Sequence, residues 1–337
     1  MHFGLDIGSY SIKAIQCHSI GKKYVLDRWG EIKSPVSFES AEQKDQITLA
    51  QLIKKLVSDC QITTQNVVVA LSETKVFSRV IQLPPMTDAE LASAIEFEAE
   101  QYIPLPLDQV QLEYLVLKMP PKGAIGEKME VLLIAAQKKA VDELTSLLEM
   151  SGLVPEVMET EVLAMSRALA GWSDSSLLIN IGKESTDLVV VQGENLRFVY
   201  SFPSGGEALT RAVSQSLALD LIQAEEYKKA YGLEQSVLEG KVAAAIEPTF
   251  SQMTKQIQKV INFYSQNNPK DNLKRLILAG GSAEMPGIST YLTKTIGLET
   301  VLGSPFANFE KDSNFPQALA KISARFATAV GLATREI

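Results

Sequence analysis

Cysteine and histidine are nearly missing: the 337 residues hold two of each. Cys17 and Cys60 do not form a Cys-x-x-C pair, and His2 and His18 are the only imidazoles that could join them. That scarcity argues against a structural zinc site or a disulfide framework and predicts two buried thiols. Long apolar runs are missing too. The longest uninterrupted stretches, such as Val131 to Ala136, fall far below the ~20 residues that span a bilayer. No positive cluster leads into an apolar segment at the start, and acidic Asp6 arrives early. The sequence therefore predicts no signal peptide, no direct membrane insertion and a cytoplasmic chain. A surplus of positive charge is also lacking. With a net charge of -8 and no segregated basic block, the surface would repel phosphate backbones, so no nucleic-acid partner is expected.

What is present is a globular composition, 46% hydrophobic and 21% charged. The length is too great for one ordinary core and suits two domains of middling size.

Near the start, Phe3, Leu5 and Ile7 alternate as a strand would, and Ile12, Ala14 and Ile15 resume the pattern beyond Gly8-Ser9-Tyr10-Ser11. Such a hairpin turn has two readings. Gly and Ser supply tight geometry wherever a chain reverses. They also build an anion cradle, in which Gly8 admits backbone N–H groups, Ser9 and Ser11 donate hydrogen bonds, and Lys13 places a cation nearby. The pattern recurs: Leu5-Asp6-Ile7-Gly8 has a counterpart in Ile179-Asn180-Ile181-Gly182, followed by "KESTDLVVVQG". Two related halves would bring two such turns face to face, which clamps a polyphosphate from both sides.

Two further elements follow. In "LILAGGSAEMPGI", Leu276 to Ile288, a strand ends in Gly280-Gly281-Ser282, either a plain strand-to-helix turn or a surface that lies flat against a base or a phosphate. In "AEEYK", Glu225 and Lys228 share one helix face, which alone is an ordinary surface ion pair.

Between the halves the grammar changes at Leu83. Thr87 and Glu90 make a capping box for an amphipathic helix, and strands Leu112 to Lys118 and Glu130 to Gln137 follow, joined by the turn-rich "PPKGAIGEK". A helix from about Ala140 to Met150 completes a unit of about 83–157 that reads as an insertion. Later, Pro248 is expected to interrupt a long helix reaching Asn267, and "ALAKISARFATAVGLATREI" reads as a closing helix.

In kind and order, the four elements resemble the actin, hexokinase and heat-shock ATPase superfamily. Within it, "FGLDIGSYSIKAIQ", "EAEQYIPLPLDQV", "GGEALTRAV", "AEEYKKAYGL" and "LAGGSAEMPGI" resemble segments of the PilM family of type IV pilus assembly proteins, in PilM order. FtsA is a cousin with its extra subdomain in the same place, but it ends in a membrane-binding amphipathic tail. This chain stops with "GLATREI", which favours PilM.

The resemblance implies an α/β, actin-like (ribonuclease H-like) duplicated two-domain fold with an inserted α+β subdomain, as in FtsA. The first domain would cover 1–175 and the second 176–337, with a nucleotide-side subdomain at about 205–273. It implies ATP or ADP with Mg2+, held by Gly8, Ser9, Tyr10, Ser11 and Lys13 on one side and by Gly182, Lys183, Ser185, Thr186 and Gly205 on the other. Glu225 and Lys228 would face the nucleoside, with Gly280, Gly281, Ser282 and Met285 at the adenosine. Asp6 and Asn180 would hold the metal through water. Active members usually carry Asp where this chain has Asn180, so weak or absent turnover is expected, because an amide bonds water without supplying charge. Glu161 is the candidate water-positioning residue, or an acid favoured by a helix start. Asp187 is expected to cap a turn or face solvent. The implied partner is a PilN-like bitopic membrane protein, bound through its cytoplasmic N-terminal peptide near Ile103 to Leu107. Other pilus-platform proteins and a homo-oligomer are further expectations, with location at the inner face of the cytoplasmic membrane. An FtsA- or MreB-like filament protein and a sugar-kinase-like enzyme are the alternatives.

Overall fold

Alternation at the start of the chain produces a hairpin in the computed structural model, which describes residues 1–38, 40, 42–121, 126–172, 174–193, 195–269, 271–311 and 315–337. Strands β1 (Phe3–Ile7) and β2 (Ser11–Ile20) pair antiparallel, and β3 (Lys23–Lys33) extends them. Helix α1 (Gln43–Asp59) crosses over to β4 (Asn66–Leu71), parallel to β1. The chain then leaves this sheet through β5 (Val76–Leu83), α2 (Asp88–Glu100), β6 (Val110–Lys118) and β7 (Met129–Gln137). It returns by α3 (Lys138–Met150) and β8 (Val154–Thr160), completing the order β3-β2-β1-β4-β8, and α4 (Glu161–Leu169) leads out.

The second half repeats the plan. Strands β9 (Ser175–Ile181), β10 (Thr186–Gln192) and β11 (Asn195–Phe202) form the antiparallel meander. Helices α5 (Gly206–Leu217), α6 (Leu221–Tyr231) and α7 (Lys241–Asn267) precede β12 (Arg275–Ala279), and α8 (Ile288–Ile296) leads to β13 (Glu299–Leu302). The sheet order β11-β10-β9-β12-β13 matches the first sheet strand for strand, so the fold is a duplicated α/β architecture. Helices α9 (Gln317–Lys321) and α10 (Ala327–Ala333) close the chain.

Both sheets are covered on two faces, which is why their central strands are apolar throughout. Leu49, Ile53, Leu144 and Leu147 pack on Phe3, Leu5, Val67 and Val69 on one face of the first sheet. Against its other face lie Phe306, Phe309, Phe326 and Val330, packed on Ile15 and Cys17. In the second sheet, α5 and α7 cover Leu177, Ile179 and Val190, while α4 and Leu132 of β7 cover Leu178, Val189 and Val191. At Gly331 of α10 an added Cβ would lie 1.8 Å from the Ala164 carbonyl oxygen of α4, so these two helices cross in backbone contact.

Several expectations change. The three-stranded sheet, order β5-β7-β6, begins at Val76 and ends at Gln137, so β5 belongs with the unit expected at 83–157 and α3 and β8 do not. Helix α3 buries Ala140, Leu144, Leu147 and Leu148 against the first sheet's core, which draws it out of the insertion. Residues 304–311 and 315–333, expected in the second domain, cover the first sheet instead, with Ala164 of α4 beside them on Val68. Pro248 lies inside α7 without ending it. Burial of Val242, Ala243 and Ile246 before it, and of Phe250, Met253 and Ile257 after it, offsets the roughly 3 kcal/mol that an interior proline costs. The closing helix is broken by a 3-10 turn, Ser323–Phe326, and ends at Ala333. Ile103 is buried in the insertion's own core beside Leu91 and Val110, with Leu105 and Leu107 partly buried against it. Residues 122–125 of "PPKGAIGEK" lie outside the described residues.

The Thr87–Glu90 capping box is present: Thr87 Oγ1 accepts from the Glu90 N–H, and Glu90 accepts from the Thr87 N–H at 2.8 Å. Both cysteines are free. Cys17 is buried, which pushes its thiol pKa up to about 12, but Cys60 is only partly covered. Among the described residues no helix is long and apolar enough to cross a membrane.

Candidate functional site

The turns of the two hairpins face each other across a cleft of about 990 Å3. Matching cross-strand rows run behind them. In the first sheet Asp6, Lys13 and Glu31 are partners across β1, β2 and β3; in the second, Asn180, Asp187 and Ser201 occupy the corresponding places across β9, β10 and β11. Lys13 Nζ meets Asp6 Oδ2 at 3.1 Å. Asn180 Nδ2 donates to Asp187 Oδ2 at 3.0 Å, and Ser201 Oγ donates to Asp187 Oδ1 at 2.8 Å. Asp187 is thus buried and fully engaged, where a cap or a solvent-facing residue was expected.

Two contacts cross the cleft from the first turn, one to the second turn and one to α6. Lys183 Nζ donates to the Ser9 carbonyl at 3.3 Å, and Lys229 Nζ donates to Tyr10 Oη at 2.5 Å. At the third loop, Gly280 has φ +85°, and an added Cβ would lie 2.6 Å from Asn180 Oδ1. Only glycine suits that position, both for its backbone and for the close approach of the second hairpin.

Of the residues expected at the site, all but Thr186 and Gly205 line the cleft. Thr186 is buried and donates to the Ser204 carbonyl at 2.7 Å. Gly205 sits behind the second turn, where a Cβ would lie 2.6 Å from the carbonyl oxygens of Gly182 and Lys183. Both shape the turn from outside the cleft. Ser11 is also placed differently from expectation. Its hydroxyl has one proton to donate, and Glu31 Oε1 takes it at 2.6 Å. Lys228 is no surface ion pair. It is buried, pairs with Glu225 at 2.7 Å, and donates to the Gly206 carbonyl at 3.0 Å and to Thr210 Oγ1 at 2.9 Å. Burial would raise the Glu225 pKa, yet the Lys228 ammonium holds it below the usual carboxylate range.

Asp6, Glu161 and Asp187 line the cleft, and Glu73 lies behind them, lining a neighbouring cavity. Glu161, at the start of α4, has its pKa raised well above the ordinary value by burial and then by the charges of Asp187, Asp6 and Glu73, with Lys13 opposing. Glu73, between β4 and β5, is pushed up to about 8 by burial and by Asp187; it accepts from the Val162 N–H and from Ser78 Oγ, each at 3.3 Å. Sequence reasoning missed Glu73, because an acid in "SETK" reads as a solvated turn. It undervalued Asp187, although Asp187 follows Asn180 by the spacing at which Lys13 follows Asp6. Among the described residues no three acids or imidazoles are close enough to ligate a metal directly.

A family model described as type IV pilus assembly protein PilM matches residues 4–337. Cell division protein FtsA of Neisseria meningitidis serogroup B is 25% identical over 283 residues, covering 72% of this chain and 64% of FtsA, so the chain spans less than two thirds of that relative. The solved PilM-PilN type IV pilus biogenesis complex superposes with a TM-score of 0.85 at 28% identity, covering 98% of this chain and 97% of that one. MreB5 of Spiroplasma citri bound to AMPPNP aligns with a TM-score of 0.56 at 12% identity, covering 98% and 94%, which is a likeness of fold. The duplicated architecture is that of the actin-like ATPases.

Proposed function

The chain belongs to the PilM family of type IV pilus assembly proteins, and from that footing we propose that it is a nucleotide-binding scaffold docking a PilN-like membrane partner. The observation that carries the nucleotide half is the pair of facing hairpin turns, with Lys13 and Lys183 over one cleft. The Gly8 turn and two ammonium groups favour a polyphosphate, while the Gly182 N–H closes the second turn on the Ser185 carbonyl at 3.0 Å. The AMPPNP carried by the MreB5 structure supports the same class of ligand. The ligand is ATP or ADP with magnesium, which supplies positive charge between phosphates and carboxylates. Asp6, Glu161 and Asn180 hold its water shell. The base lies along Gly280, Gly281 and Met285.

Hydrolysis is slow or absent. Asn180 provides no charge, and Asp187 behind it spends both oxygens on Asn180 and Ser201. Titration calorimetry with ATP and with ADP in magnesium tests the binding. Lys13→Ala should weaken ATP by on the order of a hundredfold, since it removes a charge-assisted contact and leaves Asp6 unpaired. Release of phosphate at several turnovers per second, abolished by Glu161→Gln, would overturn the view of a weak hydrolase.

Because both halves contact the ligand, nucleotide selects the closed arrangement, and closure sets the surface on which partners dock. The solved PilM-PilN complex supports a PilN-like partner. On this reading that partner is bound through its cytoplasmic N-terminal peptide, and the chain works at the inner face of the cytoplasmic membrane, held there by it. Fluorescence anisotropy with a labelled peptide from the N-terminus of a PilN-like protein checks this. An unchanged signal at saturating chain removes the docking role.

A further inference from the structure

A second cross-cleft connection runs from the first hairpin to the adenosine loop, and the nucleotide reading does not use it. Ser11 Oγ donates to Glu31 Oε1 at 2.6 Å, and Arg325 Nη1 donates to Glu31 Oε2 at 3.4 Å. The same guanidinium donates through Nε to Glu284 Oε2 at 3.1 Å and through Nη2 to that oxygen as well. Glu284 ends the turn that Gly281 and Ser282 begin, while Arg325 comes from the 3-10 turn before α10. Ser11, Glu31, Glu284 and Arg325 all line the cleft. One residue of the closing segment thus ties the first phosphate turn to the adenosine loop.

Charge in the first row explains why a cation is needed there. Asp6 and Glu31 flank Lys13, and Lys13 is paired with Asp6. Glu31, with its side chain 18% exposed, lines the cleft beside the first turn, and among the described residues its ionic partner is Arg325. The second row poses no such problem, since Ser201 stands in the place of Glu31.

We propose that Arg325 is a positioning residue of the nucleotide clamp: it neutralises Glu31 beside the phosphate turn and fixes the adenosine loop to it through Glu284. The inference rests on the nucleotide reading above. Arg325→Gln leaves Glu31 uncompensated beside the phosphate turn and Glu284 uncompensated in the adenosine loop, so the loss falls on charged ligands. The double variant Glu31→Gln with Arg325→Gln removes both charges and restores much of what the single variant loses. A purely structural role for Arg325 gives no such rescue.

The test is titration calorimetry of ATP and of adenosine on the full chain, wild type, Arg325→Gln, Glu31→Gln and the double variant. The expected result is a fall in ATP affinity on the order of tenfold in Arg325→Gln, from like-charge repulsion, against a change below threefold for adenosine. ATP affinity should return to within about threefold of wild type in the double variant. Arg325→Lys, which keeps the charge without the fork, should retain most of the preference for ATP. Equal losses for ATP and adenosine, or a double variant no better than the single one, overturn the inference while leaving the nucleotide reading intact. A wild-type chain that binds neither ligand overturns both.

Discussion

Asn180 donates its side-chain N–H to Asp187 at the place in the second hairpin where, in the first, Lys13 meets Asp6. The duplication has therefore kept a two-residue contact across each hairpin while changing its charges, from an acid with a base to an amide with an acid. Replacing Asn180 by Asp sets two carboxylates against each other next to Glu161. Burial already raises the Asp187 pKa, with its bonds from Ser201 and Asn180 opposing. Asn180→Asp should lower the melting temperature by roughly 2–4 °C in EDTA, and magnesium should restore it. Thermal scans with and without the ion decide it; a drop that magnesium does not reverse sinks the argument that this row faces the metal's water shell.

Glu73 gives the fold a pH dependence of known sign. Its folded pKa of about 8 lies above the ordinary carboxylate value of 4.5, because burial and then the Asp187 charge disfavour ionisation. The folded chain therefore holds a proton that the unfolded chain has released. This contribution to stability is full in acid and is lost as pH rises from about 4.5 through about 8. Glu73→Gln keeps an acceptor for the Val162 N–H and carries no charge. Urea midpoints at pH 6 and pH 8 should differ less in this variant than in the wild type. Equal differences would mean that Glu73 is ionised in the folded chain.

Gly331→Ala should be among the most damaging single-methyl changes in the molecule. Its Cβ would meet the Ala164 carbonyl oxygen at 1.8 Å and the carbonyl carbon at 2.4 Å, both of them backbone atoms of α4 that cannot turn aside. A loss of about 3 kcal/mol or more is expected, read as a shift in denaturant midpoint. Gly281→Ala, with nothing within 4 Å, is the control that should leave the midpoint alone.

Tyr10→Phe removes the 2.5 Å hydrogen bond from Lys229 across the mouth of the cleft but keeps the ring under that ammonium, 4.5 Å from its centroid. Nucleotide release should speed up several-fold with little change in the association rate, since most interface changes act on dissociation. Stopped-flow chase of a fluorescent ADP measures both. An unchanged release rate means that the contact does not latch the cleft.

Local pattern carried much of the fold. Alternation in Phe3 to Ile7 and the apolar run of Leu177 to Ile181, each followed by Gly and hydroxyl residues, marked both hairpins, because strand pattern and turn chemistry are written within a few residues. Ownership of α3 was not legible, since its apolar stripe at Ala140, Leu144 and Leu147 says that a face is buried but not against which sheet. The same limit hid residues 304–311 and 315–333 and with them Arg325. In the cleft, Gly8, Lys13 and Gly280 could be found from spacing, whereas Glu31, and Glu73 behind the cleft, could not. Their role comes from what lies opposite them across strands far apart in sequence, such as Asp187 or Arg325.

The return of residues 304–311 and 315–333 to the first sheet also bears on the order in which the chain can fold during synthesis. Residues 175–302 hold every strand of the second sheet in one continuous stretch, so that sheet can be assembled once they have emerged. The first sheet has all its strands by Thr160, yet Gly4 awaits Ala329 and Ile15 awaits Phe326 and Val330. The half that begins first is therefore finished last, and until α10 arrives one apolar face of it stays open to whatever else is near.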